Sequence, residues 1–379
     1  MAKNSNSPRR LKGYYEFSRK YPSRRGERPI HESRRAKKRE RNKIILFCVA
    51  LCCLFVASFV IAKVCYNLSS RPIGDNVTQN QTSSGVTVDS LSSLRAIYLD
   101  NSILDDTTDF NNALKSASEN GFNAIMLDFK NQEGILTYNS NLISYSGNTD
   151  YNQIDKSVIS KIKNEGFFIV ARVFCFEDCV APQRLNAYVY ENVEKTKIWF
   201  DDTAINNGKV WLDPTNSKAT TYLTNVVSEI VKMGVDCVYL ESVQFPVSRE
   251  NAVPVYTQDD STLNRNYVLV EFLEDVVASA KGRPVILGTP FEAIETGDTE
   301  KWGGTLFDTP AHMCSPCITS PEGDNSIPFI ENNYIVLNDK AKNNFSTLKA
   351  IPTIKNTPAD EQFYKNLSSS KAQSYIIIP

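Results

Sequence analysis

Hydrophobic and polar positions between residues 95 and 379 fall into blocks that switch between two periods. Apolar residues at Ala219, Tyr222, Leu223, Val226, Val227, Ile230 and Val231 follow helical i, i+3, i+4 spacing and predict one amphipathic helix. Gly234 follows, where a helix end favours a residue free to take positive φ. Val235 to Tyr239 is then an almost continuous apolar run, the signature of a strand covered on both faces. Glu241, Ser242 and Gln244 stand just past it. The same junction recurs twice. Phe110, Ala113, Leu114 and Ala117 lead through Gly121 into Ala124–Lys130, and Ile154, Val158, Ile159 and Ile162 lead through Gly166 into Phe167–Phe174. Helix, glycine, buried strand and polar tip, repeated, predict consecutive βα units around a parallel sheet.

Further strands are expected at Arg95–Asp100 and Pro284–Gly288, the latter after a helix over Asn266–Ala280. Weaker ones are expected at Ala311–Cys314, Ala350–Ile354 and Ser374–Ile378. Eight strands with helices between them, in this length, predict a (β/α)8 TIM barrel, class α/β. The alternation is least regular over residues 295–350. A doubly wound open sheet is the alternative, but no Gly-x-Gly-x-x-Gly follows the first strand, so a dinucleotide cofactor has no support.

Charge changes the picture at the N-terminus. The net charge of −1 conceals 16 Lys/Arg against 4 Asp/Glu in residues 1–43, and 26 against 39 in the remainder. Between them Ile44–Ala62 carries no charge, long enough to cross a hydrocarbon core of about 30 Å as a helix. With the basic flank on its N-terminal side, the positive-inside rule predicts residues 1–43 as a disordered cytoplasmic tail, 44–65 as a single-pass transmembrane anchor in the cell membrane, and the C-terminal part as extracytoplasmic. A cleaved signal peptide is the competing reading, although its basic region would be unusually long. The tail sets orientation and meets anionic lipid; nucleic acid is not an expected partner. Residues 66–93, rich in Ser, Thr, Asn and Gln, read as a stalk, leaving 94–379 for the barrel.

Cys175/Cys179 and Cys314/Cys317 lie close enough to pair locally, and export permits disulfides; two buried thiols in each place read equally well. Cys237 reads as a buried strand residue. His312 is the one histidine beyond the tail, so no metal site is expected.

The chain resembles the glycosyl hydrolase barrel domain of bacterial envelope proteins. The resemblance is carried in order by Ala124-Ile125-Met126-Leu127-Asp128-Phe129-Lys130, which is similar to a strand ending in Asp-x-Lys, and by Val170-Ala171-Arg172-Val173-Phe174 with Asp178. Trp211-Leu212-Asp213-Pro214 resembles a Trp-x-Asp-Pro turn. Leu240-Glu241-Ser242-Val243-Gln244-Phe245-Pro246 stands where that family typically has Phe-Asp-Tyr-x-Arg-Phe-Pro. Glu241, Ser242 and Gln244 thus replace an aspartate, a tyrosine and an arginine. Lys355 and Asn356 follow the seventh strand where polar residues including Gln-Asp are usual.

The resemblance implies hydrolysis of glycosidic bonds, which needs two carboxyl groups across the scissile bond. Asp100, Asp128, Glu241 and Glu292 are the strand-end candidates. Glu241 suits the acid, since partial burial raises a carboxyl pKa. Asp128, with Lys130 and Arg172 nearby, suits the base, nucleophile or stabilising role; equally, Asp128 and Arg172 form a structural ion pair across neighbouring strands. Asp100, Lys130, Arg172, Asp213 and Gln244 are candidate substrate contacts, with Asp213 also readable as a turn residue. Tyr98, Phe174, Trp199, Trp211, Phe245 and Phe291 are candidates for stacking on sugar or for plain core. The expected function is a membrane-anchored hydrolase of envelope or extracellular polysaccharide. The alternatives are an inactive barrel that binds glycan or an envelope partner, and a glycosyltransferase using Asp201-Asp202 or Asp259-Asp260.

Overall fold

The computed structural model describes residues 90–379, apart from 148–153, 204–205, 250–251, 260, 291–297, 305–310, 312, 320–325, 345–348 and 356–360. The predicted tail and anchor, almost all of the stalk, and Phe291, Glu292, His312, Asn356 and Asp260 lie outside the described residues. Among the described residues no helix is long and apolar enough to cross a membrane.

The strands are β1 (Arg95–Tyr98), β2 (Ala124–Lys130), β3 (Phe168–Phe174), β4 (Cys237–Glu241), β5 (Val285–Pro290), β6 (Met313–Thr319), β7 (Lys349–Ala350), β8 (Thr353–Lys355) and β9 (Tyr375–Ile378). Every pairing is parallel, and the pairings run from β1 through β6, on through β7 and β8, to β9, which pairs again with β1. β7 and β8 are two pieces of one barrel position. The break at Ile351-Pro352 lies opposite Ser315-Pro316 of β6, where two prolines remove ladder donors. The expected eight-position parallel α/β barrel is therefore present.

The helices are α1 (Thr107–Glu119), α2 (Lys156–Asn164), α3 (Ala181–Leu185), α4 (Ser217–Met233), α5 (Arg265–Ser279), α6 (Ser326–Asn344) and α7 (Glu361–Ser368). α4 buries Ala219, Tyr222, Leu223, Val226, Val227 and Ile230, the stripe its spacing predicts. Each large aliphatic residue so buried stabilises by roughly 1.5–3 kcal/mol relative to exposure. Its cap is Asn216, whose side chain accepts from Lys218 N, and it stops at Gly234 with φ 102°. α6 lies in the stretch where the sequence alternation was weakest; it turns Ile327, Ile330, Tyr334 and Leu337 inward, while Phe329, Ile335 and Val336 stay exposed and blur the apolar stripe.

Strand alternation sorts the core into two layers. Ala124, Met126, Val170, Cys237, Tyr239, Ile286 and Ile376 pack inside the barrel. Ile125, Leu127, Ile169, Ala171, Val238, Leu240, Leu287, Ile354 and Ile377 pack against the helices. Residues in step with the first group, taken to the carboxyl ends of the strands, therefore face the barrel mouth.

Candidate functional site at the barrel mouth

Four adjoining strands bring Tyr98, Asp128, Arg172 and Glu241 to the mouth. Asp128 and Arg172 are register partners on β2 and β3, and their side chains form a buried two-point ion pair, Nε to Oδ1 at 2.5 Å and Nη2 to Oδ2 at 2.9 Å. The Tyr98 hydroxyl donates to Asp128 Oδ2 at 3.1 Å. The Arg172 guanidinium stands over the Tyr98 ring at 4.2 Å and the Phe174 ring at 5.1 Å, a cation–π sandwich. Burial and the Asp128 charge push the Tyr98 hydroxyl well above its ordinary pKa. The backbone beneath is tied down as well: Asn101 Nδ2 donates to Asp128 O at 2.7 Å, and Asn101 Oδ1 accepts from Asp128 N at 3.1 Å.

Glu241 is treated differently. Among the described residues its carboxylate makes no hydrogen bond or close ion pair. It lies over β5, where Gly288 leaves a notch; a Cβ there would stand 2.8 Å from Tyr239 Oη and 3.0 Å from Glu241 Oε2. Burial raises the Glu241 pKa above the ordinary carboxylate value, against the opposing charges of Lys355 and Arg172 and with the repulsion of Asp128 and Glu177. The next residue, Ser242, has φ 53°, an unfavourable conformation for a side chain-bearing residue that marks stored strain at a site. Its hydroxyl donates to Glu177 Oε2 at 2.9 Å. Lys209 Nζ lies 3.7 Å from Glu177 Oε1, and Gln132 Nε2 donates to that same oxygen.

The remaining candidates scatter. Lys130 does not reach the mouth. The β2–β3 register shifts between Asp128 and Lys130, so Lys130 pairs with Val173 and turns to the helix side. There it is fully buried, donating to Phe174 O at 2.7 Å and pairing with Asp178 Oδ2 at 2.8 Å. Asp213 is buried in the loop before α4. It accepts from Thr215 N at 2.8 Å and Thr257 N at 2.5 Å, latching two loops, and burial raises its pKa. Asp100 is exposed and caps the turn after β1, accepting from Ser102 N at 2.9 Å, which lowers its pKa. It lines a cavity of about 300 Å³ with Asp128, Tyr98, Asn131 and Thr137. Gln244 is half-buried in the loop after β4. Trp199 and Phe245 are fully buried core, and Trp211 nearly so, leaving Tyr98 and Phe174, among the described candidates, as the aromatics at the mouth. Asp201 and Asp202 accept hydrogen bonds within their own loop, from Lys209 N and Trp211 Nε1 and from Thr203 N. Cys175, Cys179 and Cys237 are free thiols, so the Cys175–Cys179 disulfide is absent; burial pushes Cys175 up to about 12. Among the described residues no group of three or more His, Cys, Asp or Glu side chains could hold a metal ion.

Two residues that the sequence did not mark as site residues belong to this neighbourhood. Glu177 is coupled to Glu241 through space, and Lys355 faces it from β8. Lys355 was visible only as a departure from the resembled pattern; Glu177 carried no signal, because the turn that returns it to the mouth is not periodic. A larger groove, about 1040 Å³, runs along the excursion after β3 between Tyr188, Lys197, Phe200, Lys209 and Arg249. It reaches the mouth through Lys209 and does not contain Glu241.

Residues 96–290 match the family profile described as "Putative glycosyl hydrolase domain". No curated protein matches the chain. Among solved structures, a hypothetical protein from Ruminiclostridium thermocellum is 21% identical with a TM-score of 0.42, covering 50% of this chain and 95% of its own. The catalytic domain of a beta-amylase from Paenibacillus polymyxa is 11% identical with a TM-score of 0.45, covering 76% and 92%. An alpha-L-fucosidase from Paenibacillus thiaminolyticus is 11% identical with a TM-score of 0.45, covering 72% of this chain and 48% of its own.

Proposed function

Because the chain belongs to the family described as "Putative glycosyl hydrolase domain", we propose that it hydrolyses O-glycosidic bonds of an envelope or extracellular polysaccharide, with Glu241 as the general acid. The observation that carries this reading is the environment of Glu241: a carboxyl raised in pKa by burial, unshared with any hydrogen-bond donor among the described residues, beside the notch over Gly288. A carboxyl whose pKa is raised by burial favours its protonated form, which suits delivery of a proton to a leaving oxygen. Asp128 is fixed in place by its hydrogen bonds with Arg172 and Tyr98, a position that suits stabilisation of a developing oxocarbenium ion. Tyr98 and Phe174, on the faces that Arg172 leaves open, suit stacking on a sugar, and Asp100, which shares a cavity with Asp128, suits its hydroxyls. Release of reducing ends from a polysaccharide panel by the full-length chain tests the reading. Glu241→Gln should lower the rate by about 10² or more. Loss of less than threefold would remove Glu241 from the chemistry.

The second reading, a barrel that binds glycan without cleaving it, is favoured by the same Asp128. Both of its oxygens are engaged, and a nucleophile needs one free. Glycan binding with no release from any polymer would select it.

The uncharged segment 44–62 and its basic flank support a membrane-anchored placement with the barrel extracytoplasmic. On that reading the protein stays with membranes through alkaline carbonate washing, and its barrel is cut by protease added to intact cells. Release by carbonate would contradict the anchor.

A further inference from the structure

Lys355 is the side chain at the barrel mouth that the proposed chemistry leaves without a task. β8 sets its position. Thr353 faces inward, its hydroxyl 2.9 Å from Tyr239 Oη and 2.6 Å from Ser315 Oγ. Ile354 packs on the helix side, so Lys355 turns inward again, one layer nearer the carboxyl ends. On β4 the same alternation places Tyr239 inward, Leu240 outward and Glu241 inward. The two columns touch at Tyr239 and Thr353, and Lys355 and Glu241 stand in the layer above that contact. Lys355 is half-buried. Among the described residues its ammonium has neither a hydrogen bond nor an ion pair within 4 Å, and its influence on Glu241 is through space.

The other cations around the mouth are committed. Arg172 is held by Asp128, Lys130 is locked under the strand by Asp178, and Lys209 leans on Glu177. Asp128 and Arg172 are matched to each other, so Lys355 is left in this layer without a contacting carboxylate among the described residues. A half-buried ammonium without a partner is costly unless a ligand supplies the counter-charge. Lys presents a single compact charge rather than a planar fork, and no second free cation stands beside it among the described residues. That matches a monoanion better than a phosphate dianion.

We propose that Lys355 binds the ring carboxylate of an acidic glycan, so that the substrate is a uronic acid-containing polysaccharide whose charged residue sits against β8 next to the bond presented to Glu241. The proposal rests on the hydrolase reading for the second half of that statement and on the geometry of β4 and β8 for the first.

The experiment compares the full-length chain with Lys355→Met and Lys355→Arg on pectate, alginate and hyaluronan, and on the same polymers after reduction of their carboxyls to alcohols. The wild-type chain should favour the acidic form of at least one polymer by roughly tenfold or more in kcat/KM, as for loss of a charge-assisted contact. Lys355→Met should abolish that preference mainly through KM, and a circular dichroism spectrum matching the wild type's shows that it is folded. Lys355→Arg should restore part of the preference. Equal cleavage of acidic and reduced polymers by the wild type, or an undiminished preference in Lys355→Met, overturns the proposal and leaves the hydrolase reading standing. If no polymer is cleaved, binding measured by affinity electrophoresis separates the two ideas. Retardation by an acidic polymer that Lys355→Met loses supports the carboxylate site and removes the hydrolase. No retardation by any of the three removes both.

Discussion

Two carboxylates two strands apart illustrate how neighbours, rather than residue type, assign chemistry. Asp128 meets a guanidinium edge-on and a phenol hydroxyl, so both of its oxygens are occupied. Glu241 meets the glycine notch and a distant ammonium, and burial raises its pKa. The raised pKa of Glu241 also has a thermodynamic sign. Below the ordinary glutamate value of 4.5 both folded and unfolded chains hold the proton, and the contribution is fully present. Above it the unfolded chain releases its proton first, so stability falls as pH rises towards the folded pKa. Glu241→Gln should therefore match the wild type in thermal unfolding at pH 4 and melt higher at pH 7. A variant that melts lower at pH 7 would show that the carboxylate is stabilised by its surroundings instead. The pair Asp128–Arg172 was legible in the sequence as one of two open readings, because both residues end adjacent strands at matching depth. The unpaired state of Glu241 was not legible, because it depends on what β5 lacks.

At the scale of elements, β2 shows where a two-residue period misleads. Strict alternation places Lys130 on the face of Asp128. The register shift between them sends Lys130 to the helix layer, and nothing in AIMLDFK announces it, since a bulge is set by the partner strand and the following turn. The reward is a buried knot. Lys130 and Asp178 have no exposed side-chain surface, and Asp178 Oδ1 accepts from Val180 N at 2.8 Å and Ala181 N at 2.7 Å at the start of α3. The knot is closed by Gly134, which has φ 81° and whose Cβ would lie 2.2 Å from Asp178 Oδ1. Gly134→Ala should cost about 1–3 kcal/mol from the backbone conformation alone, with more from displacing Asp178, in denaturant unfolding. A cost under about 0.5 kcal/mol would mean that Asp178 is free to move and the knot is loose.

For the molecule as a whole, the barrel was legible because its first five strands each carry a continuous apolar run and a helix with one apolar stripe. Strand positions six and seven were weaker. Met313–Thr319 contains Pro316, and the seventh position is split at Pro352, so each reads as a fragment although the ring of pairings closes around it. The Cys175–Cys179 disulfide did not form, which follows from the same architecture. Cys175 is buried at the end of β3 while Cys179 sits partly exposed in the turn before α3, and four residues of chain make a turn there rather than a bridge.

The notch at Gly288 has one consequence for the evolution of such domains. The Tyr239 hydroxyl and the Glu241 carboxylate already stand in the space that a methyl group would need, so even alanine at this position would push them aside. A lineage that keeps glycine here keeps Glu241 where this chain holds it, and one that gains a side chain has had to move it.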